Sequence, residues 1–213
     1  MTALRSAATA DIAIVDLGYG NIGSIAIAFE RLGATTRCSA DPAVLRAAPR
    51  VVLPGVGAAG YAMRRIEALG LAPVLRALSQ PLLGICLGMQ LLFEHCAEDD
   101  CAGRGLIAGS VRPLSPAPGR PVPHMGWSRL ALAAPDGGTD IGIAEGDYAY
   151  FAHSYACDDG PATLARTDYG GAVPAVVARG NIVAAQFHPE RSGPVGAAFL
   201  AAFLVRGMGA APC

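Results

Sequence analysis

The sequence contains no lysine, since all 16 of its basic residues are arginine. This absence excludes a Schiff-base lysine, a Ser-Lys dyad and the lysine of a phosphate-binding loop. The net charge of -1 provides no long-range attraction for nucleic acid or an anionic membrane, so neither is expected as a partner. No apolar run approaches the roughly 18 residues of a membrane span, and residues 1–10 lack the apolar stretch of a signal peptide.

The six cysteines form no CxxC pair and match no zinc-binding spacing. We therefore expect reduced thiols, no metal site and a cytoplasmic location. With 53% hydrophobic residues in 213, the chain has a globular composition with a large core. The sequence predicts one domain over 11–206, a flexible N-terminal extension at 1–10 and a flexible tail at 207–213.

Short apolar runs alternate with helical segments in the first half, which predicts parallel βαβ units and a doubly wound α/β sheet. Strands are expected at 11–17, 50–53 and 81–85, and helices at 21–32, 61–69 and 90–96. Pro54 and Gly55 are expected to end the second strand. The second half predicts a proline-rich loop at 112–123, strands at 148–155, 175–178 and 182–187, and a closing helix at 196–205.

The strongest local signal is Gly84-Ile85-Cys86-Leu87-Gly88, in which a cysteine lies between a strand and a helix. This is the pattern of a nucleophile elbow with cysteine in place of serine. The turn requires small neighbours, and it aims a helix N-terminus at the sulfur, which favours the reactive thiolate. The alternative is a buried core cysteine beside two turn glycines.

A cysteine nucleophile requires a base, and Phe187-His188-Pro189-Glu190 provides one at the end of an apolar strand. His188 can accept the thiol proton and return it to a leaving amine, while Glu190 can orient the imidazole. The alternative is a loop histidine with an unrelated surface carboxylate.

Two further segments are open to both a functional and a structural interpretation. Backbone N–H groups of the turn at Pro54-Gly55-Val56-Gly57 could bind a developing oxyanion, although an ordinary strand-ending turn has the same composition. His124 and Trp127 lie in a proline-rich stretch that suggests a binding surface, and packing explains them nearly as well.

Gly18-Tyr19-Gly20-Asn21-Ile22-Gly23 matches the dinucleotide-binding pattern GxGxxG after a strand. That pattern requires an acidic residue at the end of the second strand. The nearest acid, Asp41, has the surroundings of a helix cap, so a dinucleotide module is the weaker interpretation.

Taken together, these segments resemble the class I glutamine amidotransferases. Within that family they are most similar to the glutaminase subunits of imidazole glycerol phosphate synthase, which act in histidine biosynthesis. The resemblance spans most of the chain from Asp11 onward. It rests on the segments 16–22, 53–57, 83–93, 123–127, 153–155 and 186–190.

The resemblance implies a mixed, mostly parallel flavodoxin-like sheet, no cofactor, and L-glutamine as the substrate. It implies a heterodimer with a cyclase subunit, which receives ammonia through a channel and forms imidazole glycerol phosphate and aminoimidazole carboxamide ribotide. The implied catalytic triad is Cys86, His188 and Glu190. The implied oxyanion N–H groups belong to Leu87 and the Val56–Gly57 peptide. The remaining implied positions are Gly55, Gln90, Glu98, Ser154 and Tyr155 for glutamine, and Asn21, Trp127 and Tyr150 for the partner interface.

Three positions depart from the family pattern. Ser128 replaces the usual asparagine, Ala59 a common phenylalanine and Arg191 the usual lysine. The first two bear on the interface rather than on the chemistry. Another class I amidotransferase or a free-standing cysteine amidohydrolase remains the alternative, and it predicts high glutaminase turnover without a partner.

Overall fold

The computed structural model describes residues 11–133 and 141–206. Its strands are β1 (Ile12–Val15), β2 (Thr36–Ser39), β3 (Val51–Gly55), β4 (Leu82–Cys86), β5 (His95–Cys96), β6 (Cys101–Ala102), β7 (Ser110–Pro113), β8 (His124–Arg129), β9 (Ala131–Leu132), β10 (Tyr148–His153), β11 (Tyr155–Cys157), β12 (Thr163–Asp168), β13 (Ala172–Arg179) and β14 (Ile182–Ala185). Its α-helices are α1 (Ile22–Glu30), α2 (Pro42–Ala47), α3 (Ala59–Ala68), α4 (Ala72–Ala77), α5 (Leu87–Gln90) and α6 (Gly193–Val205).

The central sheet has the strand order β2-β1-β3-β4-β14-β13-β12-β9. The first five strands are parallel and the last three antiparallel, so the expected mixed, mostly parallel sheet is confirmed. The chain runs from β1 to β2 on one side and continues with β3 on the other. Ligand sites of open α/β sheets lie at the carboxyl ends of the strands beside such a switch point.

Both faces of this sheet are buried, as a parallel sheet requires. Ile12 and Ile14 of β1 point to the side of α1 and α6, where Phe29 and Phe203 complete one core cluster. The alternate residues of the strands face a second cluster with α3 and α4. Successive side chains of a strand point to opposite faces, so each strand contributes apolar side chains to both helical layers.

The strands and helices expected before residue 90 lie close to their predicted positions, although β3 is longer than expected. That strand continues through Pro54 and Gly55, which pair with Ile85 and Cys86 of β4. Strand β1 pairs with β3 at Val51 and Val52, before Pro54 is reached. Pro54 has no N–H to donate, and this is tolerated because β1 no longer pairs with β3 at that position.

The expected helix at 90–96 is wrong, because α5 ends at Gln90 and His95 lies in strand β5. The carbonyls that would continue the helix are taken by a distant segment. Arg104 and Leu106 donate N–H groups to the carbonyls of Leu91 and Leu92 at 2.7 and 2.8 Å. A tertiary contact here replaces the local helical bonds.

The loop expected at 112–123 is wrong at its start, since β7 includes residues 112 and 113. Strand β8, which follows the loop at His124, was not predicted. The domain bounds stay a prediction. The expectations for 1–10 and 207–213 lie outside the described residues.

Candidate functional site

Cys86 ends strand β4 with φ 53° and ψ -113°, a left-handed conformation that non-glycine residues rarely adopt. Such strain costs of order 1–3 kcal/mol and persists where the surroundings impose it. The surroundings are unusually close: a Cβ atom on Gly88 would lie 1.9 Å from the carbonyl oxygen of Leu53, and one on Gly55 would lie 2.8 Å from the nitrogen of Gly88. The predicted elbow is therefore present, and its glycines allow β3 and α5 to touch.

His188 lies three residues beyond the end of strand β14, and β14 lies beside β4 in the sheet. Its Nδ1 lies 2.9 Å from Oε1 of Glu190, and both side chains are largely buried. His188 and Cys86 line the same cleft. Parallel neighbouring strands thus bring together a nucleophile and a base that are about a hundred residues apart in the chain.

The electrostatics of this group favour a protonated imidazole. Burial alone would lower the pKa of His188, but hydrogen bonds to Cys86 and Glu190, together with their charges, raise it to about 10. An imidazolium next to the sulfur stabilises a thiolate, which is the nucleophilic form of cysteine.

The backbone of His188 is held by Ser192, a residue whose role the sequence did not predict. Its fully buried hydroxyl donates to the carbonyl of His188 at 2.7 Å and accepts from the N–H of Tyr150 at 2.9 Å. This bridge fixes the base against strand β10.

Most of the predicted site residues line one cleft of about 370 Å³. It contains the three members of the predicted triad and the predicted oxyanion positions Leu87, Val56 and Gly57. The other predicted residues in its wall are Gln90, Glu98, Ser154, Tyr155 and Asn21. The carboxyl ends of β3, β4 and β14 therefore form the floor of one concave site, as expected for this type of sheet.

Gly55, Trp127 and Tyr150 are predicted site residues that do not line the cleft. Gly55 packs beneath the elbow against Leu87. Trp127 and Tyr150 are cross-strand partners on β8 and β10, with ring centroids 6.1 Å apart. The guanidinium of Arg191, a residue of the cleft wall, stacks 4.6 Å from the Tyr150 ring. The two aromatic residues therefore lie just outside the cleft.

The two departures assigned to the interface have internal roles. Ala59 is 1% exposed, and its N–H donates to Oε2 of Glu98 at 2.8 Å. Ser128 Oγ lies 2.8 Å from Nε2 of His124, which is itself buried. His124 thus belongs to the packed interior, whereas Trp127 on the same strand is 55% exposed.

Gln186, another residue without a predicted role, contacts the Cys86 sulfur through its side chain. Its Nε2 lies 3.7 Å from the Cys86 sulfur. Gln186 lies two residues before His188 in the sequence. The His-Pro-Glu motif therefore indicated that Gln186 is near the site, but not what it does there.

Comparisons with known proteins agree with the geometry of the site. The family model "Glutamine amidotransferase class-I" matches residues 13–206. The chain is 50% identical over 194 residues to "Imidazole glycerol phosphate synthase subunit HisH" of Xanthomonas axonopodis pv. citri, covering 91% of this chain and 96% of the relative. The subunit of the same name from Xylella fastidiosa strain Temecula1 is 48% identical over 196 residues, with the same coverage of both chains.

Solved structures agree at the level of the fold. A putative GMP synthase component from Thermoplasma acidophilum superposes with a TM-score of 0.69 at 17% identity, covering 91% of each chain. A structure described as a glutamine amidotransferase gives a TM-score of 0.70 at 19% identity, covering 92% of this chain and all of the other. Within 11–133 and 141–206, none of the helices has the length and apolar character needed to cross a membrane.

Proposed function

Because the chain belongs to the class I glutamine amidotransferase family, we propose that it is the glutaminase subunit of imidazole glycerol phosphate synthase, in histidine biosynthesis. The observation that carries most weight is the elbow at Cys86, which shares one cleft with the hydrogen-bonded His188–Glu190 pair. About 50% identity over nearly the whole length of the HisH relatives supports this branch of the family.

The proposed chemistry follows from the positions of three side chains. The Cys86 thiolate attacks the side-chain amide carbon of L-glutamine and forms a tetrahedral oxyanion. His188 donates its proton to the leaving nitrogen, so that ammonia departs and a glutamyl thioester remains. His188 then removes a proton from a water molecule, which hydrolyses the thioester to glutamate. Glu190 keeps the imidazole oriented and stabilises its positive charge.

Backbone groups at the two strand ends are the proposed oxyanion donors. The N–H of Leu87 follows the nucleophile directly, and the Val56–Gly57 peptide lies opposite it in the cleft wall. Donors of this kind stabilise the charge that develops on the substrate oxygen in the transition state. Gly55 contributes by allowing the two strand ends to approach each other.

The proposed glutamine subsite includes Gln90, Glu98, Ser154 and Tyr155, which share the cleft wall with the nucleophile. One carboxylate oxygen of Glu98 is bound to Ala59 N–H, which holds the side chain in place. A carboxylate at this position suits the α-ammonium group of an amino-acid substrate.

The mouth of the cleft supports docking of a partner subunit. Val56 and Met125 line the cleft, and they are 36% and 64% exposed. Trp127 and Tyr148 lie nearby on β8 and β10, also more than half exposed. Exposed apolar side chains clustered around a cleft mark interaction surfaces. We assign this surface, together with Asn21 and Tyr150, to a heterodimer interface with the cyclase subunit, which receives ammonia before it reaches bulk water.

The test is glutamate release from glutamine, measured for the chain alone and then with the cyclase subunit and its nucleotide substrate. The Cys86→Ala variant serves as the blank. Activity that is low alone, rises sharply with the loaded partner and vanishes in the blank is expected. High activity without a partner would instead favour a free-standing amidohydrolase with the same triad. The cytoplasmic location stays a prediction.

A further inference from the structure

The side chain of Gln186 is completely buried and is not among the residues that line the cleft. Its Nε2 lies 3.7 Å from the sulfur of Cys86. Its Oε1 lies 2.9 Å from Nε2 of Gln90. Burying an amide costs free energy unless its polar atoms form hydrogen bonds. We therefore read both contacts of the Gln186 amide as hydrogen bonds.

A neighbouring backbone carbonyl fixes which end of the Gln186 amide faces the sulfur. Nε2 of Gln90 lies 2.9 Å from the carbonyl oxygen of Tyr155, and a carbonyl oxygen can only accept. The Gln90 amide nitrogen is therefore a donor, and its second contact must also be with an acceptor, Oε1 of Gln186. It follows that the Gln186 amide nitrogen is the group that points to the Cys86 sulfur.

Two protein groups that contact the sulfur favour opposite protonation states of Cys86. The carbonyl oxygen of Ala152 lies 3.8 Å from the sulfur and accepts a hydrogen bond from a neutral thiol. The Gln186 N–H donates, and a donor stabilises the charged thiolate. Inside a poorly solvated site each of these contacts is stronger than it would be in water.

We propose that Gln186 is a further catalytic residue, whose side-chain N–H donates a hydrogen bond to the Cys86 sulfur and favours the thiolate over the thiol. The proposal rests on the proposed function in one respect, namely that this thiolate is the nucleophile for glutamine. The positive charge of His188 favours the same thiolate, so the Gln186 donor and the His188 charge act in the same direction. Gln90 connects the Gln186 donor to the wall of the cleft.

The experiment measures the rate of alkylation of Cys86 by iodoacetamide as a function of pH, without glutamine and without a partner. Burial raises the pKa values of the Cys38, Cys96, Cys101 and Cys157 thiols, so these react slowly at neutral pH. Cys86→Ala gives the background from all other cysteines. The Gln186→Met variant keeps the size of the side chain and removes the donor. The pH midpoint of alkylation is expected to rise by about one unit, equivalent to about 1.4 kcal/mol.

Gln186→Glu replaces the amide nitrogen by an oxygen and adds negative charge, so the midpoint should rise further than in Gln186→Met. This order depends on charge and would not follow from a merely structural role. The Glu variant also provides the test if the Met variant does not fold.

The matched control is Gln80→Met, because Gln80 is also buried and its Nε2 donates to the carbonyls of Leu45 and Ala48, outside the cleft. This variant is expected to keep the wild-type midpoint. An unchanged midpoint in folded Gln186 variants would overturn the proposal. Since alkylation requires no glutamine turnover, that result is distinct from a failure of the proposed function.

Discussion

Nδ1 of His124 lies 3.0 Å from Nε2 of His153, across the paired strands β8 and β10. Nδ1 of His153 lies 2.7 Å from the carbonyl oxygen of Tyr155, so this nitrogen must donate. Burial lowers the pKa values of both rings and so favours their neutral forms. With both rings neutral, Nε2 of His153 is the acceptor, Nδ1 of His124 the donor, and Nε2 of His124 accepts from the Ser128 hydroxyl.

The neutral histidine pair predicts a loss of stability in mild acid. Burial lowers the pKa values of His124 and His153 to about 4, below the usual value of 6.5. Between pH 6.5 and 4 the unfolded chain binds more protons than the folded one, so the free energy of unfolding falls as the pH falls. The slope should approach about 1.4 kcal/mol per pH unit for each histidine. Urea unfolding at several pH values measures it.

The matched control for the histidine pair is His95→Gln, since the side chain of His95 is 44% exposed. This variant should retain the wild-type slope, whereas His124→Gln should lose about half of it. Equal slopes in wild type and His124→Gln would contradict the assignment of the acid sensitivity to this pair.

Removal of the charge on Glu190 is predicted to cost most of the activity. Glu190→Gln should keep the shape of the side chain but lose its support for the imidazolium of His188. We expect kcat of the partner-activated glutaminase to fall by roughly 10⁴-fold, as found for the same change of carboxylate to amide in a serine-protease triad.

Glu67→Gln is the control for that loss of charge, because Glu67 is also ion-paired, with Arg104, but its carboxylate is 61% exposed. It should have near-wild-type turnover. A Glu190→Gln enzyme that retained turnover within a few-fold of wild type would remove Glu190 from the triad.

The close contact at the elbow predicts opposite effects for two glycine substitutions. In Gly88→Ala the added Cβ would lie 1.9 Å from the Leu53 carbonyl oxygen, so β3 and α5 must separate. Gly23 in α1 has open space around its Cβ position and no positive φ. Gly23→Ala should therefore stabilise the helix by about 0.5–1 kcal/mol, while Gly88→Ala should destabilise the fold by several times as much. Thermal unfolding compares the two, and similar melting temperatures would show that the elbow is not tightly packed.

Gly23 also bears on the GxGxxG motif. In dinucleotide-binding proteins the last glycine of this motif allows helix and strand to pack closely. Here nothing lies within 4 Å of its Cβ position. Asn21, in the same turn, faces the cleft that contains Cys86. The sequence pattern of this turn is therefore compatible with a wall of the amidotransferase cleft.

Features set by neighbouring residues could be predicted from the sequence, whereas features set by distant contacts could not. The elbow was predictable because Gly84, Cys86 and Gly88 lie within one strand–turn–helix unit. The end of α5 was not predictable, because the N–H groups of residues 104 and 106 bind the carbonyls of Leu91 and Leu92 that would have continued the helix. Strand β8 was not predicted, because it follows a proline-rich stretch and forms through pairing with the distant strand β10. The role of Gln186 depends on a contact between residues that are 100 positions apart.

Val56 is predicted to restrain the glutaminase when no partner is bound. Reversal of the Val56–Gly57 peptide rotates ψ of Val56 and φ of Gly57. The β-branched side chain allows Val56 fewer backbone conformations than glycine would have, so the N–H cannot cheaply be turned to the oxyanion. Glycine removes a penalty of roughly 1–2 kcal/mol for a left-handed conformation. Val56→Gly should therefore raise glutamate release by the isolated chain roughly tenfold. Val56→Ala, which keeps a Cβ atom, is the control and should show a much smaller rise. If basal activity in Val56→Gly equals that of wild type, the peptide is not the restraint, and partner activation must act elsewhere in the cleft.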